Sequence, residues 1–156
     1  MRPAATADVL PDPSTSAGRA ARTDRAVGRY EDTVPVRRGS PTSAVDRVAD
    51  FYGGYIDVLH DSGHGRLTDA LRVHYLTAEL RERLARWEVG RRPDGVLRFR
   101  GVPAAWEVAY TDSAMGKCRT RVTLIWRASG NRVHRTRLTV QSDLATRLIS
   151  DIRPGD

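Results

Sequence analysis

Residues 120–140 read TRVTLIWRASGNRVHRTRLTV, in which two runs of alternating apolar and polar side chains flank Ser129-Gly130-Asn131. Alternation with a period of two places every second side chain on one face of a β-strand, and a short turn containing Gly and Asn joins antiparallel neighbours. The stretch therefore predicts a β-hairpin with one buried face. Its inward positions would be Val122, Leu124, Trp126, Thr136, Leu138 and Val140.

The same alternation continues on both sides of this hairpin, and it predicts further strands. The expected strands are a short one over 96–100, one with Trp106, Val108 and Tyr110 on a single face, and a last one over 146–152 that buries Leu148 and Ile152.

Upstream of Gly90 the apolar period is helical instead. Ser43 offers a capping hydroxyl ahead of a stripe with α-helical spacing, which predicts the first helix. Gly53-Gly54 lies in the middle of this helix and costs about 1 kcal/mol per glycine relative to alanine, so we expect a close approach or a bend there. Thr68 and Thr77 are the predicted caps of a second and a third helix. The stripe of the first helix consists of Val45, Val48, Ala49, Tyr52, Ile56 and Leu59.

Helices followed by meandering strands predict an α+β domain at residues 42–156, with three N-terminal helices packed on one strongly curved antiparallel sheet of four to five strands. Residues 1–41 have no apolar period and predict a disordered arm, because burial there could not offset the entropy of ordering. Val34-Pro35-Val36-Arg37-Arg38 in the arm is a candidate motif for binding a partner.

Charge and cysteine content limit the choice of partner and compartment. The net charge of +7 comes from arginine, with Lys117 as the single lysine. This bias is typical of a GC-rich bacterial genome, and it weakens the charge as evidence for a nucleic-acid partner. The lone Cys118 cannot form an internal disulfide, and no segment is apolar enough to span a membrane. We expect a cytoplasmic protein without a membrane partner, or an exported one if the true start lies upstream.

Three helices, a short strand pair and long antiparallel strands ending in Leu148-Ile149-Ser150-Asp151-Ile152 resemble the NTF2-like superfamily of cone-shaped α+β domains. The likeness covers residues 43–153. Within that superfamily, Phe51-Tyr52, the segment 75–80 and the closing 149–152 are similar to small bacterial domains of unknown function of the DUF3828 type. The resemblance implies a pocket between the first helix and the concave sheet, and dimers in many relatives. It also implies relatives that act as ketosteroid isomerases, polyketide cyclases, dehydratases or non-catalytic binding modules.

An isomerase or cyclase of this fold needs a base in an apolar pocket, where burial raises a carboxyl pKa, and a hydroxyl that stabilises the developing enolate. The candidate catalytic residues are Tyr52, His74 and Asp143, and their spacing alone pairs none of them. Core roles are the alternative for the aromatic candidates, and a partly buried helix position is the alternative for His74. The predicted pocket-lining residues are Tyr52, Tyr55, Trp106, Tyr110 and Trp126.

The sequence lacks the usual signatures of cofactor and metal chemistry. It has no glycine-rich dinucleotide motif, P-loop, serine elbow or zincin motif, and we predict no cofactor and no metal. His60 and His64 are four residues apart, but Ser62-Gly63 between them favours a loop. We therefore interpret them as two solvated loop histidines.

The arginines of the long strands fall opposite the apolar positions and predict a basic outer sheet face. That face could bind a polyanion, either nucleic acid or an acidic protein. It has no aromatic stacking platform, so nucleic acid is not favoured, and arginines on a solvated strand face also block aggregation. The residues concerned are Arg119, Arg121, Arg127, Arg135 and Arg137.

Three hypotheses about function remain open. The absence of a clear acid and base pair favours a non-catalytic NTF2-like binding or assembly module, with a homodimer, a protein partner or a small apolar ligand. The first alternative is a small-molecule isomerase, cyclase or dehydratase that uses the cone pocket. The second is polyanion binding through the arginine-rich sheet face.

Overall fold

The computed structural model describes residues 37–156 and contains three helices followed by one four-stranded sheet. The strands form an antiparallel meander in the order β1-β2-β3-β4, which confirms the α+β class and the antiparallel sheet. The sheet is open and not strongly curled, so the structure does not show the predicted cone. The elements are α1 (Ala44–Ser62), α2 (Arg66–Tyr75), α3 (Ala78–Glu88), β1 (Ala105–Ala114), β2 (Lys117–Ala128), β3 (Arg132–Asp143) and β4 (Ile149–Pro154).

Most of the predicted arm, including Val34, Pro35 and Val36 of the candidate binding motif, lies outside the described residues. The backbone N–H of Ser40 donates to Oδ2 of Asp46 at 2.7 Å. Contacts with α1 therefore begin ahead of residue 42, where the domain was predicted to start. Every helix within 37–156 is too short or too polar to cross a membrane.

Helix α1 begins at its predicted cap, because the Ser43 side chain accepts a hydrogen bond from the backbone N–H of Asp46. It ends at Gly63, whose φ of 72° suits a glycine. The predicted close approach is confirmed at Gly53, where an added Cβ would lie 2.8 Å from Cζ2 of Trp106. The buried face of α1 packs into the core through Val48, Phe51, Tyr52, Tyr55, Ile56 and Leu59.

Helix α2 begins two residues before its predicted cap. Gly65 is the capping residue, and the hydroxyl of Thr68 accepts from its N–H at 2.9 Å and donates to its carbonyl at 2.8 Å. Helix α3 begins as predicted, since Thr77 Oγ1 accepts from the N–H of Leu80 at 3.2 Å. The N–H of Thr77 also donates to the carbonyl of Ile149 at 2.9 Å, which attaches the junction of α2 and α3 to β4.

The strand predicted over 96–100 is wrong, because this segment forms a turn. Oδ1 of Asp94 accepts hydrogen bonds from the backbone N–H groups of Val96 and Leu97, at 2.7 and 3.1 Å. Pro93-Asp94-Gly95 is itself a turn signature, since the aspartate side chain can bind the backbone two residues ahead. This local bonding overrides the alternation of the residues that follow.

The predicted hairpin forms, and Val122 pairs with Leu138 across it. Its loop places Gly130 and Asn131 at φ 77° and 62°, which both residue types tolerate. The last strand begins later than predicted, at Ile149.

The inward position predicted for Leu148 is wrong. Leu148 is half-buried, whereas Ile149 and Ile152 each have 1% exposure. A register shift between Gln141 and Ser142 of β3 changes which residues of the last strand face the core.

Candidate functional site

The three candidate catalytic residues lie in different parts of the domain. Tyr52 is buried in α1 and donates its hydroxyl hydrogen bond to the carbonyl of Val96 at 3.2 Å. His74 is exposed on α2, not partly buried as predicted. Asp143 ends β3 and binds Nζ of Lys117 at 2.9 Å. Among the described residues, no hydrogen bond joins any two of the three candidates.

Their environments do not favour the chemistry of an enolising enzyme. Burial raises the pKa of Tyr52, the negative charge of Asp94 raises it further, and Arg98 opposes the change only in part, so the hydroxyl stays protonated. The hydrogen bond from Lys117 lowers the pKa of Asp143, together with two backbone amides of the following loop. A base for proton abstraction near neutral pH needs the opposite shift.

The predicted pocket-lining aromatic residues are divided between the core and the surface. Tyr52 and Tyr55 are fully buried and Trp126 nearly so, and all three belong to the core cluster. Trp106 is partly buried and packs against that cluster, while Tyr110 is 59% exposed. The buried members therefore occupy the interior between α1 and the sheet.

A buried hydrogen-bond network centred on Asp94 joins the three helices to the turn that follows α3. Oδ2 of Asp94 accepts from the hydroxyl of Tyr55 and from Nε2 of His64, both at 2.6 Å. Arg72 of α2 donates to the Tyr55 hydroxyl oxygen at 2.8 Å and pairs with Glu88 of α3 at 2.7 Å. The side chain of Asp94 is 3% exposed, so its charge is matched inside the protein.

The network sets the protonation of its members. Burial alone would raise the pKa of Asp94, but hydrogen bonds from Tyr55 and His64 and the charge of Arg72 lower it below its ordinary value of 3.8. Burial raises the pKa of Tyr55, and Asp94 raises it further against the effect of Arg72. An ionised carboxylate can only accept hydrogen bonds, so Nε2 of His64 carries the hydrogen and donates this hydrogen bond to Asp94.

Sequence reasoning missed this network. It placed His64 in a loop, where it lies, but did not find its partner Asp94, which is thirty positions away in the chain. The turn signature of Pro93-Asp94-Gly95 was the single local indication. His60 lies within α1 and not in the predicted loop, and its Nδ1 contacts Oδ1 of Asp61 at 2.9 Å. In the described part of the chain, no group of three or more His, Cys, Asp or Glu residues could hold a metal ion.

The five strand arginines all lie exposed on the outer face of β2 and β3. Arg119 pairs with Asp112 at 3.5 Å. The other four make no ion pair or hydrogen bond with any residue in 37–156. The strand register places each of them opposite a threonine or an aliphatic residue, so their charges never face one another directly. The pairs are Arg121 with Thr139, Arg137 with Thr123, Arg135 with Ile125, and Arg127 with Val133.

Comparison with known proteins assigns no family to this α+β domain. No family model matches the chain, and no curated protein matches it. Among solved structures, the chain is similar to the crystal structure of a protein of unknown function from Bacteroides thetaiotaomicron. The two are 19% identical with a TM-score of 0.47, and the alignment covers 87% of this chain and 98% of that one.

Proposed function

We propose that this protein is a non-catalytic binding module of the NTF2-like type that binds an acidic protein partner through the outer face of β2 and β3. Three helices followed by an antiparallel meander support the NTF2-like part of the proposal. The observation that carries the binding function is a group of four exposed arginines that make no ion pair with a described residue, here called the arginine face: Arg121, Arg127, Arg135 and Arg137.

The positions of the catalytic candidates support a non-catalytic function. Tyr52 hydrogen-bonds to a backbone carbonyl in the core, His74 lies on the surface of α2, and Asp143 binds Lys117. An acid and base pair would need two of these groups within hydrogen-bond reach of one substrate. Their separation leaves binding as the activity that the exposed groups can best support.

The composition of the arginine face favours a protein partner. A guanidinium group binds carboxylates in a bidentate manner, and arginine is enriched in protein interfaces. The residues between the arginines are Thr123, Ile125, Val133 and Thr139, which offer hydroxyl and aliphatic contacts. Single-stranded nucleic acid binds through aromatic stacking, and no outward position of β2 or β3 is aromatic.

The arginine face does not suit a homodimer. Two copies joined through it would bring four unpaired positive charges against four others, and like-charge contact is unfavourable. A homodimer of this protein would therefore use another surface, and sedimentation equilibrium of the full chain measures whether one forms.

The test compares two double variants that remove the same charge from different surfaces. R121S/R137S removes two arginines from the arginine face, and R66S/R86S removes two exposed arginines from the helices. Binding of a fluorescein-labelled poly-glutamate peptide is followed by anisotropy at increasing salt. We expect about tenfold or greater weakening in R121S/R137S, little change in R66S/R86S, and weaker binding at high salt because charge contacts dominate.

Two results would contradict the proposal. Equal weakening in both double variants would mean that the peptide responds to net charge and not to this face. Tighter binding of duplex or single-stranded DNA than of the peptide, lost in R121S/R137S, would identify nucleic acid as the partner instead.

A further inference from the structure

A cavity of about 250 Å³ opens beside the C-terminal end of α1. Leu59, Phe99 and Val102 form its apolar walls. Arg92 and Arg100 also line it, and both are exposed. Neither arginine makes an ion pair or hydrogen bond with a residue that the structure describes. The buried carboxylate of Asp94 lines the cavity as well, but it is paired with His64 and Arg72. Two cations that make no ion pair therefore adjoin an apolar surface.

His64 lines the same cavity, and the Asp94 network holds its ring in place. The carboxylate that binds Nε2 is itself fixed by Tyr55 and by two backbone N–H groups of its own turn. Nδ1 of His64 has no hydrogen-bond partner in residues 37–156, and in the neutral ring it is an acceptor on a side chain that is 64% exposed. The negative charge of Asp94 is offset by Arg72 at 3.4 Å.

We propose that this cavity binds a small organic anion. Its carboxylate pairs with Arg92 and Arg100, because guanidinium groups match carboxylate geometry. Its apolar body packs against Leu59, Phe99 and Val102, and a hydroxyl or amine group on it donates to Nδ1 of His64. Sites for drug-sized ligands measure about 300–1,000 Å³, so this cavity limits the ligand to roughly one ring.

The cavity is separate from the arginine face, and each proposal can fail without the other. The probes are benzoate, its neutral isostere benzamide, inorganic phosphate and the three hydroxybenzoates. Each is titrated into the full-length ¹⁵N-labelled protein and followed by NMR. We expect saturable chemical-shift changes at the amides of 92–102 when benzoate is added. Benzamide, which lacks the charge, and phosphate, which lacks the apolar body, should each bind about tenfold more weakly than benzoate.

Variants separate the cavity from general charge effects. R92Q/R100Q should weaken benzoate binding by about tenfold or more, whereas the control R86Q/R132Q removes the same charge elsewhere and should leave it unchanged. The hydroxybenzoate that binds tightest should lose its advantage over benzoate in H64A but keep it in H60A. The ¹⁵N spectrum of each variant reports whether the fold is retained.

Several outcomes would overturn the proposal. They are the absence of a saturable benzoate shift, equal affinity for benzamide or phosphate, and an R92Q/R100Q variant with its fold retained that binds benzoate like the wild type. If no hydroxybenzoate binds more tightly than benzoate, or if H64A keeps the advantage, the role of His64 is wrong.

Discussion

The indole ring of Trp106 on β1 lies against the backbone of α1 at Gly53, so close that a Cβ at this position would come within 2.8 Å of ring atom Cζ2. Side-chain carbons do not approach one another this closely in folded proteins. The next residue, Gly54, differs, because its nearest neighbours are methyl groups of Leu71 at 4.0 Å. Packing therefore requires glycine at position 53 but not at position 54.

Alanine substitution should separate the two glycines. Overpacking costs about 1–3 kcal/mol, which in G53A exceeds the gain of about 1 kcal/mol in helix propensity. G54A gains the propensity without the clash and should match or exceed the wild type in stability. Urea unfolding measures both free energies. Equal stability of G53A and G54A would contradict the close contact between Gly53 and Trp106. A G53A/W106L double variant that is more stable than G53A would support it.

Sequence alone predicted the close approach but not its partner. A glycine in the middle of a helix is unfavourable in any context, so the pair at 53 and 54 could be recognised locally. Which glycine matters depends on where Trp106 lies after folding, and no local rule gives that. The Asp94 network was missed for the same reason, since Arg72 and His64 reach Asp94, and Glu88 reaches Arg72, only through the packing of the helices.

Removing the charge of Asp94 should destabilise the fold above pH 4 and have less effect below it. The pKa of Asp94 in the folded protein lies below its ordinary value of 3.8. Its ionised form therefore contributes stability that is fully present above that value and is lost as the pH falls through the folded pKa. We expect D94N to lose about 1.5–3 kcal/mol near pH 7, the range for hydrogen bonds to charged groups.

Urea unfolding at a series of pH values checks this dependence. The difference between wild type and D94N should be constant from about pH 5 to 7 and should narrow below about pH 4. D57N is the matched control, because Asp57 is exposed on α1 and makes no ion pair with a described residue. It should change stability by less than about 0.5 kcal/mol. A D94N difference that does not vary with pH would exclude the charge as its cause.

The register of β4 can be tested at two adjacent positions. Ile149 is buried while Leu148 is half-buried, the reverse of what alternation from the preceding residues predicts. Truncation of a buried isoleucine to alanine costs about 2–5 kcal/mol, so I149A should be strongly destabilised. L148A should lose clearly less. A larger loss in L148A than in I149A would restore the register predicted from the sequence.

The hydroxyl groups of Tyr52 and Tyr55 should differ in their contributions, although both are buried on α1. Tyr52 donates to a neutral carbonyl, so Y52F should cost about 0.5–1.5 kcal/mol. Tyr55 donates to the Asp94 carboxylate and accepts from Arg72, so Y55F should cost about 1.5–3 kcal/mol.

The two tyrosine variants should also differ in acid. Loss of the Tyr55 hydrogen bond removes a contribution that keeps the pKa of Asp94 low, so in Y55F this pKa should rise toward its ordinary value. The difference between the pKa of Asp94 in the folded and the unfolded protein then becomes smaller, and with it the stability that ionised Asp94 contributes. Y55F should therefore unfold at a higher pH than Y52F when both are titrated with acid and followed by circular dichroism. Acid midpoints that coincide would mean that the Tyr55 hydroxyl does not control the charge of Asp94, and the network would then depend on Arg72 and His64 alone.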